Sequence, residues 1–394
     1  MSEMSYLEKL LDGVEVEWKA VGDIAGYSTT KVDADKLDAT SFVGVDNLLA
    51  DKGGRIDATY QPNTARLTAY EPGDILLGNI RPYLKKVWMA ENNGGCSGDV
   101  LAIRILADCK KIISPEYLYY ALSSDSFFSY SMQHAKGAKM PRGSKDAILN
   151  YQIPIPCPSA PEKSLAIQSE IVRILDKFTA LTAELTAELT MRKKQYNYYR
   201  DQLLSFEGGS VEWKSLGEVA IITIGAFVRK DKQNPDADYP VYNGGRTPTG
   251  YYEDFNNDGD KIIVSARGAN AGFVNKSSTP YWAGNSCYSI SVRSTDQLHW
   301  MYVYYYLKQS ETKLTGIQQK GGIPAVSKKQ MEDLLLPIPS KSEQVRIVTI
   351  LDKFDTLTSS ITEGLPREIE LRQKQYEYYR DLLFSFPKPD AVSH

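Results

Sequence analysis

The stretch from Glu162 to Phe206 reads EKSLAIQSEIVRILDKFTALTAELTAELTMRKKQYNYYRDQLLSF and contains neither Gly nor Pro. Ile167, Ile171, Ile174, Phe178, Leu181 and Leu185 recur at alternating steps of four and three, the seam of a coiled-coil helix. Leu185 to Leu189 adds a second step of four, a stutter that locally unwinds such a seam. At about 1.5 Å per residue, a helix of about 45 residues runs roughly 68 Å. That is far longer than one small domain needs, so the helix is expected to hold other parts of the chain apart.

Outward from this stretch the chain repeats itself. Ile174-Leu175-Asp176-Lys177-Phe178 returns as Ile350-Leu351-Asp352-Lys353-Phe354, and Tyr198-Tyr199-Arg200-Asp201 returns as Tyr378-Tyr379-Arg380-Asp381. Val16-Glu17-Trp18-Lys19 returns as Val211-Glu212-Trp213-Lys214, and Ile153-Pro154-Ile155-Pro156 as Leu336-Pro337-Ile338-Pro339. Order is kept and the copies lie roughly 180 residues apart, the mark of a tandem duplication. Tyr6–Leu11, just before the first VEWK, imitates the Tyr199–Leu204 tail before the second, as if the chain were cut from a ring. The expected fold is α+β: two tandem globular parts separated by two long antiparallel coiled-coil helices in a pseudo-two-fold cyclic arrangement.

The expected boundaries are a first globular part over 1–159, a long helix over 160–207, a second globular part over 208–341, a second long helix over 342–388 and a tail over 389–394. DVLAIRI (Asp99–Ile105) and KIIVS (Lys261–Ser265) read as strands. Ser114-Pro115-Glu116 reads as an N-cap opening the helix YLYYAL, with YVYYYL (Tyr302–Leu307) as its counterpart. Gly364 and Pro366 interrupt the second long helix, so a kink is expected near Leu365.

A hydrophobic content of 42% and a charged content of 24% are ordinary for a globular chain. No apolar run reaches the roughly 18 residues of a membrane span, and the N-terminus lacks the pattern of a secretory signal. Cys96, Cys109, Cys157 and Cys287 are scattered, without a CxxC pair. A reducing, cytoplasmic setting with no membrane contact is expected. The net charge of −3 conceals a local excess: Lys136, Lys139, Arg142 and Lys145 lie together with no acid among them.

The motifs of catalysis are missing. Gly137–Lys145 has the wrong spacing for a Walker loop, the three histidines form no metal cluster, and no Pro-Pro occurs for an amino-methyltransferase box. No catalytic residue, no metal site and no cofactor are therefore assigned to this chain. What remains is loops mixing Gly, Asn, Gln, Arg and Lys. In the first globular part these supply Asn79, Arg81, Lys85, Lys139, Arg142 and Lys145; in the second, Asn243, Arg246, Arg267, Asn270, Gln319 and Lys320. Arg pairs with guanine through two bonds, Asn and Gln with adenine, and Lys holds phosphates. Arg81 and Arg267 hold corresponding places after a strand. Trp18 and Trp213, repeated in register, read as structural. Tyr196, Tyr199, Tyr376 and Tyr379 repeat on both long helices as a candidate partner surface.

Two dissimilar globular parts, each opened by VEWK and closed by an IPIP-like run, then followed by LDKF…KQYxYYRD helices, resemble the specificity (S) subunit of type I restriction–modification enzymes. The type IC branch is the nearest likeness, and the match covers nearly the whole chain. The resemblance implies that the globular parts are target-recognition domains, each reading one half of a split site in double-stranded DNA. It implies that the helices dock two methylation subunits, with restriction subunits completing the nuclease. S-adenosylmethionine, ATP and Mg are then expected in those partners. The alternative is a pseudo-symmetric scaffold tethering two proteins without reading DNA. Thr182-Ala183-Glu184-Leu185 is followed at once by an identical Thr186-Ala187-Glu188-Leu189. Thr182, Leu185, Thr186 and Leu189 therefore mark a modular spacer that sets distance between the half-sites.

Overall fold

The motifs that open and close each globular part pair with each other. Val16–Ala20 runs antiparallel to Gln152–Pro156, setting Trp18 opposite Pro154. Glu212–Ser215 runs antiparallel to Leu335–Ile338, setting Trp213 opposite Pro337. Each ladder has only two strands, so a proline lacking its N–H can face outward without breaking a sheet interior. The computed structural model describes residues 6–206, 211–318 and 322–387, and the fold is α+β, as expected.

The chain divides into two compact units, Met1–Glu184 with Glu370–His394, and Leu185–Ile369. In the first, an antiparallel sheet of four strands runs in the order Ala25–Tyr27, Val100–Ile105, Ile75–Gly78, Val87–Met89. A second sheet orders Lys31–Asp33, Arg66–Tyr70, Gly94–Cys96 and Phe42–Val43. In the second unit the corresponding four strands are Ala220–Ile224, Cys287–Val292, Lys261–Ser265 and Val274–Ser277. Lys261–Ser265 matches the expected strand at both ends. The helix Pro115–Leu122 has Ser114 as its cap, the hydroxyl accepting from Tyr117 N. Its counterpart, Trp300–Gln309, is capped by the His299 ring instead.

The duplication extends to individual hydrogen bonds. Tyr117 OH donates to Pro154 O at 2.8 Å and Tyr302 OH to Pro337 O at 2.9 Å. Tyr120 OH reaches Asp176 Oδ1 at 2.5 Å, and Tyr305 OH reaches Asp352 Oδ1 at 2.5 Å. Fully buried Gln168 accepts from Ser114 N at 3.0 Å and donates to Ile112 O at 2.7 Å. Gln344, equally buried, accepts from His299 N at 2.8 Å and donates to Gln297 O at 3.1 Å. Each glutamine therefore clamps the turn before its helix to the first turns of a long helix.

The first long helix is continuous over Pro161–Leu203, 43 residues. The second is broken, not merely kinked, into Lys341–Ser359 and Leu365–Leu383. Gly364 has φ +82°, and a Cβ there would stand 2.3 Å from Thr356 O, so the turn admits glycine only. Ser360 Oγ accepts from Thr362 N and Glu363 N, supplying the turn with its own hydrogen bonds. Pro366 then falls in the first turn of the new helix, where its missing N–H leaves no bond unmade. Within the first unit Phe178 of the long helix stacks on Tyr379, with centroids 5.3 Å apart. Within the second, Phe354 stacks on Tyr199 at 5.6 Å. Each unit thus joins the start of its own repeat's helix to the tail of the other repeat's. Trp18 packs on the first core and donates to Pro387 O at 2.9 Å, whereas Trp213 is 43% exposed.

Candidate nucleic-acid interface

In the first unit two loops distant in sequence form one surface. Strand Ile75–Gly78 runs into Asn79-Ile80-Arg81, which the segment before the helix Lys145–Asn150 meets by backbone pairing. Gly143 N donates to Asn79 O at 3.0 Å and Arg81 N to Pro141 O at 2.7 Å, with Ile80 bridging Arg142. Ser144 caps the helix that follows. In the second unit, strand Lys261–Ser265 runs into Ala266-Arg267-Gly268. Val326 N donates to Ala266 O at 2.9 Å and Gly268 N to Pro324 O at 2.9 Å, with Arg267 bridging Ala325. Ser327 caps the next helix.

These bonds fix the correspondence residue by residue: Asn79 with Ala266, Ile80 with Arg267, Arg81 with Gly268. The expected equivalence of Arg81 and Arg267 is therefore off by one position. Arg81 has φ 51°, a left-handed conformation that costs a side chain, where the other unit uses glycine at φ 93°. Arg81 and Arg267 are both exposed, and among the described residues no hydrogen bond or ion pair engages either guanidinium.

The other candidates divide by what they touch. Lys139 is exposed beside the Arg142 bridge, and Arg142 pairs with Asp99 at 2.6 Å while its side chain stays 57% exposed. Lys145 lies over the Tyr27 ring at 5.9 Å. Asn79 turns inward: it is 7% exposed, its Oδ1 has no partner among the described residues, and a Cβ on Gly143 would stand 2.7 Å from that oxygen. Asn243 accepts from Ser286 N at 3.1 Å and holds the adjoining loop. Arg246 lies over Phe273 at 5.5 Å and donates to Asn270 Oδ1 at 3.3 Å, while Asn270 Nδ2 donates to Gly244 O. Asn243 and Asn270 therefore brace their loops, while Asn79 is buried. Lys85 is committed to Asp125, Nζ to Oδ1 2.8 Å. Gln319 and Lys320 lie outside the described residues.

Asp125, Lys52 and Arg380 were not foreseen. Asp125 Oδ1 accepts from Lys52 at 3.0 Å as well as from Lys85, and Oδ2 faces Arg380 Nη2 at 3.2 Å. Burial alone would raise the Asp125 carboxyl, but the bonds from Lys85 and Lys52 outweigh it and hold it well below the usual carboxylate range. Burial, with the Arg380 charge beside it, pulls Lys52 down.

On the long helices Tyr196 and Tyr376 are half-buried, and burial pushes each phenol up to about 12. Their rings cover cores rather than offering a free face. The freer rings are Tyr198 at 62% and Tyr378 at 65% exposed, each edge-on to its neighbour Tyr199 or Tyr379 at 5.4 Å. The signal was available: residues two apart on a helix face different ways. In the tandem TAEL, Thr182 Oγ1 donates to Phe178 O at 2.9 Å, while Leu185 and Leu189 are half-buried. The boundary between the compact units, Glu184 to Leu185, falls inside this repeat. Among the described residues no helix is long and apolar enough to cross a membrane, and no cluster of His, Cys, Asp and Glu could hold a metal.

The family described as type I restriction modification DNA specificity domain matches residues 72–191 and 210–371. The chain is 41% identical to the type I restriction enzyme EcoR124I/EcoR124II specificity subunit of Escherichia coli over the whole of both sequences. It is 35% identical to the EcoprrI specificity subunit of the same species, covering 92% of this chain and 93% of that one. The crystal structure of a type I restriction–modification S subunit from M. genitalium superposes with a TM-score of 0.63 at 15% identity, covering 98% of this chain and 100% of that one. At that identity the likeness bears on the fold alone, two tandem domains joined by long helices.

Proposed function

The chain belongs to the DNA specificity subunits of type I restriction–modification systems, and from that premise we propose that it reads a split, asymmetric DNA site, one half per globular part. The observation that carries the reading is the paired-loop surface repeated in both units with different residues on it. The same backbone frame presents Arg81 beside Lys139 and Arg142 in one unit, and Arg267 beside Arg246 in the other. A conserved frame with exchanged side chains suits two different half-sites, since guanidinium groups read guanine while lysines hold phosphates.

The subunit supplies specificity and no chemistry. Methylation subunits using S-adenosylmethionine, and restriction subunits using ATP and Mg, supply the reactions. The exposed pairs Tyr198–Tyr199 and Tyr378–Tyr379, alike in geometry, are proposed as two docking places for two methylation subunits. Long-read methylome sequencing of DNA exposed to this chain with its methylation partner tests the reading. The expected result is one asymmetric bipartite motif with a fixed spacer. A methylome that deletion of this chain leaves unchanged would overturn it.

A further inference from the structure

Four of the seven non-glycine residues with positive φ among the described residues sit in two touching loops of the first unit: Asp51, Lys52, Arg81 and Lys85. Asp51 N donates to Leu84 O and Lys52 N to Lys85 O, each at 2.9 Å, so the loops are laced backbone to backbone. Left-handed conformations at residues with side chains persist only where the surroundings over-determine them. The strain is concentrated, so something must hold it.

Asp125 stands at that place. It opens the helix Asp125–Gln133, whose cap Ser124 accepts from Phe127 N at 3.1 Å. Its carboxylate gathers one cation from each loop, Lys52 and Lys85, and a third, Arg380, from the helix Leu365–Leu383. Arg380 is fully buried, lies over the Tyr376 ring at 5.4 Å, and keeps an Nε with no partner among the described residues. Asp381, the other acid near it, is 61% exposed at 3.4 Å. One carboxylate thus holds together three cations that would otherwise repel.

Among the described residues the second unit lacks the device. Glu311, in the place of Asp125 one residue past a serine, accepts from Lys308 and from Val274 N. Arg200, the counterpart of Arg380, pairs with its neighbour Asp201 at 2.9 Å. There the position equivalent to Arg81 is Gly268 at φ 93°, which takes the left-handed region freely.

We propose that Asp125 is a positioning residue for half-site recognition: it fastens the Arg81–Lys85 loop to the helix Leu365–Leu383 through Lys52, Lys85 and Arg380, and so sets how Arg81 meets DNA. This rests on the reading that the first unit recognises one half-site. Asp125 itself touches no base. Without its charge the two lysines separate and the left-handed turn relaxes, while the second unit keeps its own contacts.

The test uses the complex of this chain with its methylation partner, methylating a DNA library with each half of the wild-type motif randomised in turn. Asp125→Asn should lower discrimination in the half read by the first unit by roughly tenfold, within the range of one base contact, and leave the other half and the spacer unchanged. Asp125→Glu should recover part of it. The double variant Lys52→Met, Lys85→Met should give the same one-sided loss if Asp125→Asn fails to assemble. Unaltered discrimination in Asp125→Asn and the double variant, or an equal loss in both halves, overturns the proposal. A wild-type complex with no bipartite motif overturns the DNA-reading function itself, a distinguishable result.

Discussion

Arg81 and Gly268 occupy one and the same position in the two units, each donating its backbone N–H to the carbonyl of a proline three residues before a helix-capping serine. The arginine holds φ 51° there and the glycine φ 93°. A left-handed non-glycine residue costs about 1–2 kcal/mol, partly offset by the extra freedom glycine loses on folding, about 0.5–1 kcal/mol. Arg81→Gly should therefore leave stability unchanged or raise it by up to about 1.5 kcal/mol. The same variant should relax recognition of one half-site. Differential scanning calorimetry with the methylome checks both; a marked fall in melting temperature would show that the guanidinium supports the fold rather than reading DNA.

The duplication, the long helix and the α+β class are legible in the sequence because they rest on local signals: repeated words, a four-three seam, runs free of Gly and Pro. The one-residue shift between Arg81 and Arg267 is not. It is set by backbone bonds such as Gly143 to Asn79, between residues far apart in the chain and with dissimilar side chains around them. The pairing of VEWK with IPIP is likewise a property of chain ends meeting, invisible to any window of sequence. Asn79 and Asn270 have the composition of base readers, yet Asn79 is buried and Asn270 donates to the Gly244 carbonyl of its own neighbouring loop. Asp125 gave no local signal at all, since its three partners come from three separate segments.

Tyrosines on the long helices should separate into two kinds by substitution. Tyr196 packs against Phe354, with ring centroids 6.2 Å apart, and Tyr196→Ala should destabilise the second unit by about 2–4 kcal/mol, near the lower end for aromatic truncation because the ring is half-buried. Tyr198→Ala, at a ring 62% exposed, should change stability by less than about 0.5 kcal/mol. It should instead weaken binding of a methylation subunit. Urea unfolding together with sedimentation of the assembled complex distinguishes them, and identical behaviour of the two variants would count against the docking surface.

Acid should loosen the first unit through Asp125. Its carboxyl is held below the usual range in the folded chain, chiefly by Lys85 and Lys52 working against burial. The unfolded chain therefore takes up the proton first as pH falls. The stabilisation is complete above about pH 4, the ordinary carboxylate value, and drains away as pH drops below it toward the folded value. Asp125→Asn, which has no such proton to take up, should be less stable than wild type at pH 6, and the gap should narrow at pH 3. Urea midpoints at the two pH values measure this; a gap that widens on acidification would contradict the assigned sign.

The tandem TAEL lies where the two compact units divide, and Leu185 and Leu189 are both half-buried, so a unit of four residues can be added or removed without exposing a new kind of side chain. Four helical residues add about 6 Å and about 40° of turn, using about 1.5 Å and 100° per residue. DNA rises about 3.4 Å per base pair and turns about 35°, so the added rotation matches one base pair while the length approaches two. Rotation should decide, because both domains must address their grooves from the same side. Deleting Thr186–Leu189 is therefore expected to shorten the spacer of the methylated motif by one base pair and to leave both half-sites as they were. The loops carrying Arg81 and Arg267 lie outside the deleted turn, so any change in half-site sequence would mean that the repeat does more than set distance.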